Sequence, residues 1–185
     1  VLWQTFAKAY GIEKESRVPI FSETSLRTYS KLDQYVNLLR AGNEAFSAVL
    51  GGTDVLTVHP HDVIANVSEA AIRNARNIQL IIKEETFVNY VLDPAGGSYF
   101  IDTLTNEIIE KAWSLFQEIE AEGGYRKYVQ SGKLEAKLNE LYEKRIEQVS
   151  KGEKSLIGTN IYPDLTDTLE DIVPTVEVEG RLAEP

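Results

Sequence analysis

The sequence contains no cysteine and no methionine, and it has only two histidines. Without cysteine the chain can form neither a disulfide framework nor a thiolate metal site, and this composition suits a cytoplasmic protein. No run of about 18 apolar residues is present, so no membrane span is expected, and no basic segment followed by an apolar one marks a secretory signal. Because methionine is missing even at position 1, we expect a fragment or a processed chain.

Positive charge is also scarce, with 19 Lys and Arg against 29 Asp and Glu and a formal net charge of −10. Phosphate binding needs clustered cations, so a nucleic-acid partner is not expected. The hydrophobic fraction of 43% and the charged fraction of 26% are typical of globular proteins. A chain of 185 residues is long enough for one domain with a sizeable core.

The sharpest local feature is the run DPAGGSY at residues 93–99. Proline fixes φ and lacks a donor, whereas the two glycines reach dihedral angles closed to other residues, so the run predicts a tight connector. Apolar residues recur at helical spacing on both sides, over residues 67–82 and 104–119, and Gly123 and Gly124 follow the second series. The pattern therefore predicts a helix, a rigid turn and a second helix.

Other apolar patterns predict strands that alternate with helices along the chain. The predicted elements are helix 1–10, strand 17–21, helix 31–50, strand 54–59, helix 133–149 and strand 156–161. Strands separated by long helices form right-handed parallel βα units rather than hairpins. The predicted fold class is therefore helix-rich α/β with parallel strands, and three strands are too few to close a barrel.

Several ordered motifs resemble those of the methylmalonyl-CoA mutase family. They are Tyr35, Asn37 and Arg40, then GGT at 51–53, ARNIQ at 75–79, DPAGGSY at 93–99, EIEAEGG at 118–124 and IGTNIY at 157–162. Mutases of this family have a TIM (β/α)8 barrel followed by a cobalamin-binding domain, so the resemblance implies that residues 1–162 are the later part of such a barrel. It implies strand ends at residues 21–25, 59–62 and 159–162, where the active site of a TIM barrel lies.

The first strand end departs from the pattern of active mutases. By resemblance, a motif of the form His-x-Gln-Thr-Ser-Gly-Trp is expected there, whose His and Gln reach the coenzyme A substrate. This chain has Phe21 and Glu23 at those two places and keeps Thr24 and Ser25. The side chain of Phe21 can neither donate nor accept a hydrogen bond, and the carboxylate of Glu23 brings negative charge towards an anionic ligand. We interpret the four residues as a vestigial substrate-binding site, in which Thr24 and Ser25 either bind a phosphate or carbonyl or simply cap the junction.

The second strand end departs as well. By resemblance, active mutases carry Phe-Asp-Glu-Ala there, with the Glu and Ala against the corrin and the adenosyl group. Here the four places hold His61, Asp62, Val63 and Ile64, and only the aspartate is kept. Val63 cannot accept the hydrogen bonds that a carboxylate accepts. We interpret these four as vestigial cofactor-facing residues and expect no catalytic residue in this chain, because radical chemistry tolerates little displacement around its cofactor.

His59 and His61 suggest a different function, because two histidines separated by one residue at a barrel strand end also begin the zinc site of metal-dependent amidohydrolases. Such a site needs further ligands, and the chain has no other histidine. The pair also differs from the Asp-x-His-x-x-Gly signature with which the family ligates cobalt, because Asp62 follows both histidines. We expect no metal ligand here, and a metal-dependent hydrolase is a distant alternative.

The end of the chain is acidic and contains several prolines. Residues 164–185 hold seven acidic residues and one arginine, so we interpret residues 163–185 as a linker or wrapping arm. By resemblance, a cobalamin-binding domain is expected after the barrel, and the Tyr-His pair that assists the radical rearrangement lies upstream of any aligned residue. We expect these 185 residues to supply neither.

Two hypotheses remain. The first is that this chain is part of the small, non-catalytic subunit of a heterodimeric methylmalonyl-CoA mutase, which is an adenosylcobalamin-dependent isomerase. In that enzyme the catalytic partner subunit binds the acyl-CoA. On this hypothesis the chain alone is inactive and does not bind the cofactor. The second is an active acyl-CoA mutase of altered specificity, whose catalytic residues lie outside this chain. Because a barrel cut part-way leaves sheet edges unpaired, we also expect self-association.

Overall fold

A computed structural model describes residues 2–12 and 17–166, and the chain divides into two compact units. One unit comprises residues 1–20 and 95–137, and the other comprises residues 21–94 and 138–185. A partial barrel over residues 1–162 followed by a linker or arm over residues 163–185 stays a prediction, and the arm lies largely outside the described residues. The two strands of the described part do not form a closed barrel. Local periodicity identifies helices but does not tell which of them pack together.

Helices dominate both units. The α-helices are α1 (Leu2–Ala9), α2 (Val36–Leu50), α3 (Glu69–Glu85), α4 (Tyr99–Ala121), α5 (Tyr125–Gln130) and α6 (Lys133–Ser150), and the strands are β1 (Phe21–Glu23) and β2 (Val55–Thr57). Short 3-10 helices span Leu26–Thr28 and Val88–Tyr90. Within the described ranges, none of these helices is both long and apolar enough to cross a membrane.

The two strands form a parallel sheet, which confirms the prediction of a parallel, helix-rich α/β arrangement. Their register pairs Phe21 with Val55 and Glu23 with Thr57, and α2 connects them. The first strand begins at Phe21 rather than at residue 17, and this shift follows from Pro19, which has no N–H to donate to a neighbouring strand.

The prediction of a third strand over residues 156–161 is wrong. Ile157 and Ile161 meet only in an isolated bridge with each other, and Gly158 donates its N–H to the carbonyl of Ile161 at 2.9 Å. Gly158 has φ of +77°, a left-handed conformation that turns the chain back on itself. The segment is therefore a closed loop, and its apolar residues approach each other within it.

Serines and glycines set the helix ends near the central turn. Ser68 caps α3 by accepting the N–H of Ala71 at 3.1 Å, and Ser98 caps α4 by accepting the N–H of Ile101 at 3.4 Å. Gly123 and Gly124 follow α4 with φ of +91° each. These contacts confirm the predicted helix, turn and helix over residues 67–124, but the division between the two units falls between Pro94 and Ala95.

The core of the second unit lies where α2 and α3 approach the sheet. Alanines allow the two helices to come close, with Ala41 and Ala45 on α2 and Ala75 on α3 all buried. The other buried members of this cluster are Tyr29, Val58, Val63, Ile64 and Ile82. Leu56 of β2 packs against the cluster, whereas its neighbour Val55 is exposed, so only one face of the sheet is covered within this unit.

The first unit has an aromatic cluster of its own. The ring of Phe6 on α1 lies 5.7 Å from that of Trp113 and 5.0 Å from that of Phe116, both on α4. Tyr128 of α5 is buried and donates its hydroxyl to Glu118 at 3.2 Å. These contacts hold α1 and α5 against the long helix α4, in which no residue is fully buried.

Candidate functional site

The first strand end presents two of its predicted site residues to solvent. Phe21 is 72% exposed, and the side chain of Glu23 lies on the same exposed face of the sheet. Glu23 Oε2 is 3.5 Å from Nε2 of His59, which follows β2. The structure thus brings Glu23 and His59 together at the C-terminal ends of the two strands, as expected for neighbouring parallel strands.

Thr24 and Ser25 use their hydroxyls within the protein. Thr24 is buried, and its Oγ1 accepts the backbone N–H of His59 at 2.9 Å, which joins the two strand ends. Ser25 Oγ accepts the N–H of Arg27 at 3.3 Å and so caps the 3-10 helix Leu26–Thr28. These are capping contacts, and the assignment of Phe21, Glu23 and both hydroxyls to a vestigial substrate site stays a prediction.

Glu44 of α2 is a site residue that the sequence analysis missed. Its carboxylate accepts the N–H of Ser25 at 2.6 Å and the hydroxyl of Thr28 at 3.2 Å. A carboxylate that binds a backbone N–H satisfies a donor at the start of a helical turn, so Glu44 fixes this strand end to α2. No local signal could have identified it, because its partners lie at least 16 residues away in sequence.

The second strand end turns into the core. Val63 and Ile64 are 7% and 2% exposed and belong to the apolar cluster of this unit. Asp62 is also buried, and its Oδ2 accepts the N–H of Ser68 at 2.9 Å, just before α3. Its second oxygen, Oδ1, has no hydrogen-bond partner among the described residues. The cofactor-facing role of residues 61–64 stays a prediction, and these side chains already pack inside the protein.

The two histidines have separate environments. The ring of His61 is buried and stacks on the ring of Tyr35, with centroids 5.3 Å apart and planes 28° apart. His59 is partly exposed and contacts Glu23. Across residues 2–12 and 17–166, no three His, Cys, Asp or Glu side chains come close enough to hold a metal ion together.

A buried tyrosine and an arginine lie beneath these strand ends. Tyr29 donates its hydroxyl to the carbonyl of His59 at 3.4 Å. Burial raises the pKa of Tyr29, the hydrogen bond with Thr24 lowers it, and the negative charge of Glu44 raises it further. Burial lowers the pKa of the Arg40 guanidinium, whereas neighbouring acidic groups raise it. Arg40 therefore stays a cation at neutral pH, because an arginine pKa lies far above 7.

Comparisons with known proteins agree on one family. The profile of the family described as methylmalonyl-CoA mutase matches residues 1–182. A methylmalonyl-CoA mutase small subunit from Porphyromonas gingivalis is 35% identical over 182 residues, which are 96% of this chain and 29% of the relative. A methylmalonyl-CoA mutase from Rhizobium meliloti is 38% identical over 165 residues, 88% of this chain and 23% of the relative.

A methylmalonyl-CoA mutase large subunit from Porphyromonas gingivalis is also similar. It is 32% identical over 165 residues, which are 88% of this chain and 23% of the relative. The chain therefore spans between 23% and 29% of the length of these relatives. Similarity extends to small subunits, large subunits and mutases without a subunit name.

Proposed function

This chain belongs to the methylmalonyl-CoA mutase family, and from that premise we propose that it is part of the small, non-catalytic subunit of a heterodimeric mutase. In such an assembly a catalytic partner interconverts methylmalonyl-CoA and succinyl-CoA, and this chain supports the partner without performing the chemistry. The names of two relatives in Porphyromonas gingivalis, one small and one large subunit, support a partner of this kind. The proposal includes a cytoplasmic location.

The strongest support for a non-catalytic role is the packing of Val63 and Ile64. The family generally depends on adenosylcobalamin, a cofactor that supplies radical chemistry when it is bound. A cofactor contact requires side chains that are accessible to the corrin, yet both residues are buried in the chain's own apolar cluster. Residues 61–64 therefore do not fit the cofactor, and we propose that this chain alone does not bind it.

The first strand end supports the same proposal. The hydroxyl of Thr24 accepts an N–H of the protein, and the N–H of Ser25 donates to Glu44. An incoming anionic acyl-CoA would have to compete with these internal contacts, and the exposed carboxylate of Glu23 would repel it. We therefore propose that acyl-CoA binds to the catalytic partner.

A spectral titration tests the cofactor part of the proposal. Adenosylcobalamin is titrated with the chain, and its absorption spectrum is recorded, with an active mutase of the family as the positive control. We expect no spectral change up to micromolar concentrations of the chain. A saturable shift with micromolar affinity would contradict the proposal and would mean that residues 61–64 open towards the cofactor.

A second candidate is an active acyl-CoA mutase of altered specificity, with its catalytic residues outside this chain. The 38% identity to the Rhizobium meliloti mutase, whose name carries no subunit designation, favours it. Turnover separates the two candidates. The full-length subunit with methylmalonyl-CoA and cofactor should form no succinyl-CoA until the catalytic partner is added, and product formed without a partner would support the second candidate.

We do not propose a metal-dependent hydrolase. His59 contacts Glu23, whereas His61 stacks on Tyr35, so the two imidazoles serve different parts of the fold. The described residues bring no third metal-ligating side chain to either of them.

A further inference from the structure

Residues that carry the family resemblance converge on one buried polar cluster. Asn37, in the first turn of α2, is fully buried. Its Oδ1 accepts the N–H of Ser30 and a guanidinium N–H of Arg40, each at 2.8 Å. Its Nδ2 donates to the carbonyls of Ser30 at 2.9 Å and His61 at 3.0 Å. Two donated and two accepted bonds use the full hydrogen-bonding capacity of the amide.

Arg40 extends this cluster to the loop at residues 156–161. Its Nη2 donates to the carbonyl of Ile157 at 2.6 Å, while its Nη1 bonds Asn37. A second contact runs from Thr159, whose Oγ1 donates to Ser30 Oγ at 2.7 Å. One guanidinium thus joins the loop to the residue that holds the carbonyl of His61.

The loop is itself well ordered by hydrogen bonds. The side chain of Asn160 accepts the N–H of Leu156 at 2.7 Å and donates to the carbonyl of Val149 at 2.9 Å. Gly158 could not carry a side chain without strain, because its φ is positive and a Cβ would lie 3.2 Å from Cβ of Asp33. The loop therefore presents the carbonyl of Ile157 to Arg40 as part of a closed, hydrogen-bonded turn.

The bonds of Asn37 to Ser30 and His61 are buried, the bond from Arg40 to Ile157 is exposed, and the guanidinium of Arg40 links the two sets. If the loop moves away, Arg40 loses its carbonyl partner, and its hold on Asn37 Oδ1 loosens. If Asn37 then shifts, the carbonyl of His61 and both backbone groups of Ser30 are left buried without partners. Unsatisfied buried polar groups are costly, so a partly broken network is less stable than one that is wholly formed or wholly broken.

We propose that Asn37 and Arg40 are positioning residues that couple the second strand end, at His61, to the loop at residues 156–161. The two segments hold their positions together and lose them together, although 95 residues or more separate them in sequence. A partner or ligand that displaces one segment therefore alters the other. This coupling does not depend on whether the chain is catalytic.

Amide hydrogen exchange on the chain tests the coupling with the variant Arg40→Ala. Arg40 contacts the loop and Asn37, and the bond to His61 comes from Asn37. Both segments contain hydrogen-bonded amides, including those of Val63 and Gly158. We expect both segments to exchange about tenfold faster in the variant, because roughly 1.4 kcal/mol of lost local stability corresponds to a tenfold change in the population of the open state.

A second variant changes the bond to His61 and leaves the bond from Arg40 to the loop in place. Asn37→Asp keeps the Oδ1 acceptor that binds Ser30 and Arg40, but it replaces the NH2 donor with a carboxylate oxygen that faces the carbonyls of His61 and Ser30 and repels them. Coupling predicts that it too speeds exchange in both segments. Asn43→Ala, an exposed asparagine on the same helix, is the matched control and should change neither. Faster exchange in the loop alone for Arg40→Ala, or a uniform increase throughout α2 and α3, would overturn the proposal.

The two histidines provide a spectroscopic readout that simple loss of stability would not move selectively. Because the chain has only two, their imidazole C–H resonances can be followed separately by NMR. In Arg40→Ala we expect the resonance of His61, which stacks on Tyr35, to shift while that of His59 stays in place. An unchanged His61 resonance would overturn the proposal.

Discussion

Asp62 accepts the backbone N–H of Ser68 through Oδ2 at 2.9 Å, directly before the start of α3. This bond fixes the second strand end to the helix that follows it, and Ser68 in turn caps that helix by accepting the N–H of Ala71. The aspartate that the resemblance assigns to a cofactor-facing segment thus has a structural role within the chain.

The first prediction concerns this aspartate. Asp62→Ala removes the acceptor and should lower the free energy of unfolding by about 1.5–3 kcal/mol, the usual contribution of a hydrogen bond to a charged group. Asp62→Asn keeps an amide oxygen for Ser68 and should recover most of that loss. Denaturant unfolding measures both variants. Equal destabilisation by Ala and Asn would show that the charge matters and the hydrogen bond to Ser68 does not.

The second prediction is a pH dependence caused by Tyr29. Burial raises its pKa above the ordinary value of 10.0, so the folded chain holds this proton more tightly than the unfolded chain does. The contribution that protonated Tyr29 makes to the free energy of unfolding is fully present below about pH 10, the pKa of tyrosine in the unfolded chain. It is lost as the pH rises through the folded pKa, because the unfolded state then releases the proton first.

Tyr29→Phe isolates this effect. At pH 7 the variant should be less stable by about 0.5–1.5 kcal/mol, because it lacks the hydroxyl that donates to His59. Above pH 10 the deficit should shrink, since only the wild type has a buried phenol to ionise. Thermal unfolding between pH 7 and 11 measures it, with Tyr10→Phe, at a tyrosine 81% exposed, as the control. A deficit that stays constant over this range would contradict the prediction.

Local signals in the sequence predicted the helices better than the strands. Gly123 and Gly124 follow α4 as predicted, because a glycine with a positive φ ends a helix through its own backbone conformation. The prediction of a strand at residues 156–161 was wrong because Gly158, with its positive φ, turns the chain where the apolar pattern suggested an extended segment. Which helices share a core depends on contacts between distant residues, and no single-sequence pattern reports them.

The candidate site shows the same limit. Capping by Thr24 and Ser25 was foreseen as one interpretation, because hydroxyls at a strand-to-loop junction commonly bind nearby backbone groups. Glu44 looked like an ordinary charged residue on a helix. Asn37 and Arg40 were noticed only through the resemblance, since their partners at His61 and Ile157 become neighbours only after folding.

The third prediction tests whether Val63 faces the core or an open cofactor site. Active mutases place a glutamate at this position by resemblance, so a chain with an open site should tolerate Val63→Glu. Because Val63 is 7% exposed within the apolar cluster, we expect the substitution to cost about 3–5 kcal/mol, as for an unpaired buried charge. Val55→Glu, on the exposed sheet face at 47% exposure, is the control and should cost far less. Wild-type stability of Val63→Glu would count against the non-catalytic proposal.

The last prediction is that the chain self-associates through its sheet. Parallel sheets in native proteins are covered on both faces, yet Phe21 and Val55 of the paired strands are 72% and 47% exposed. Exposed apolar side chains beside unpaired strand edges favour association with another copy. We expect the mean mass in sedimentation velocity to rise with concentration, and the double variant Phe21→Lys with Val55→Lys to reduce this rise. Tyr10→Lys, at an exposed aromatic outside the sheet, should not. The prediction is contradicted if the wild-type chain stays monomeric and unfolds cooperatively at high concentration, because this face of the sheet would then need no cover. Residues 21–62 would in that case have to be reconsidered as a site that is complete within the chain.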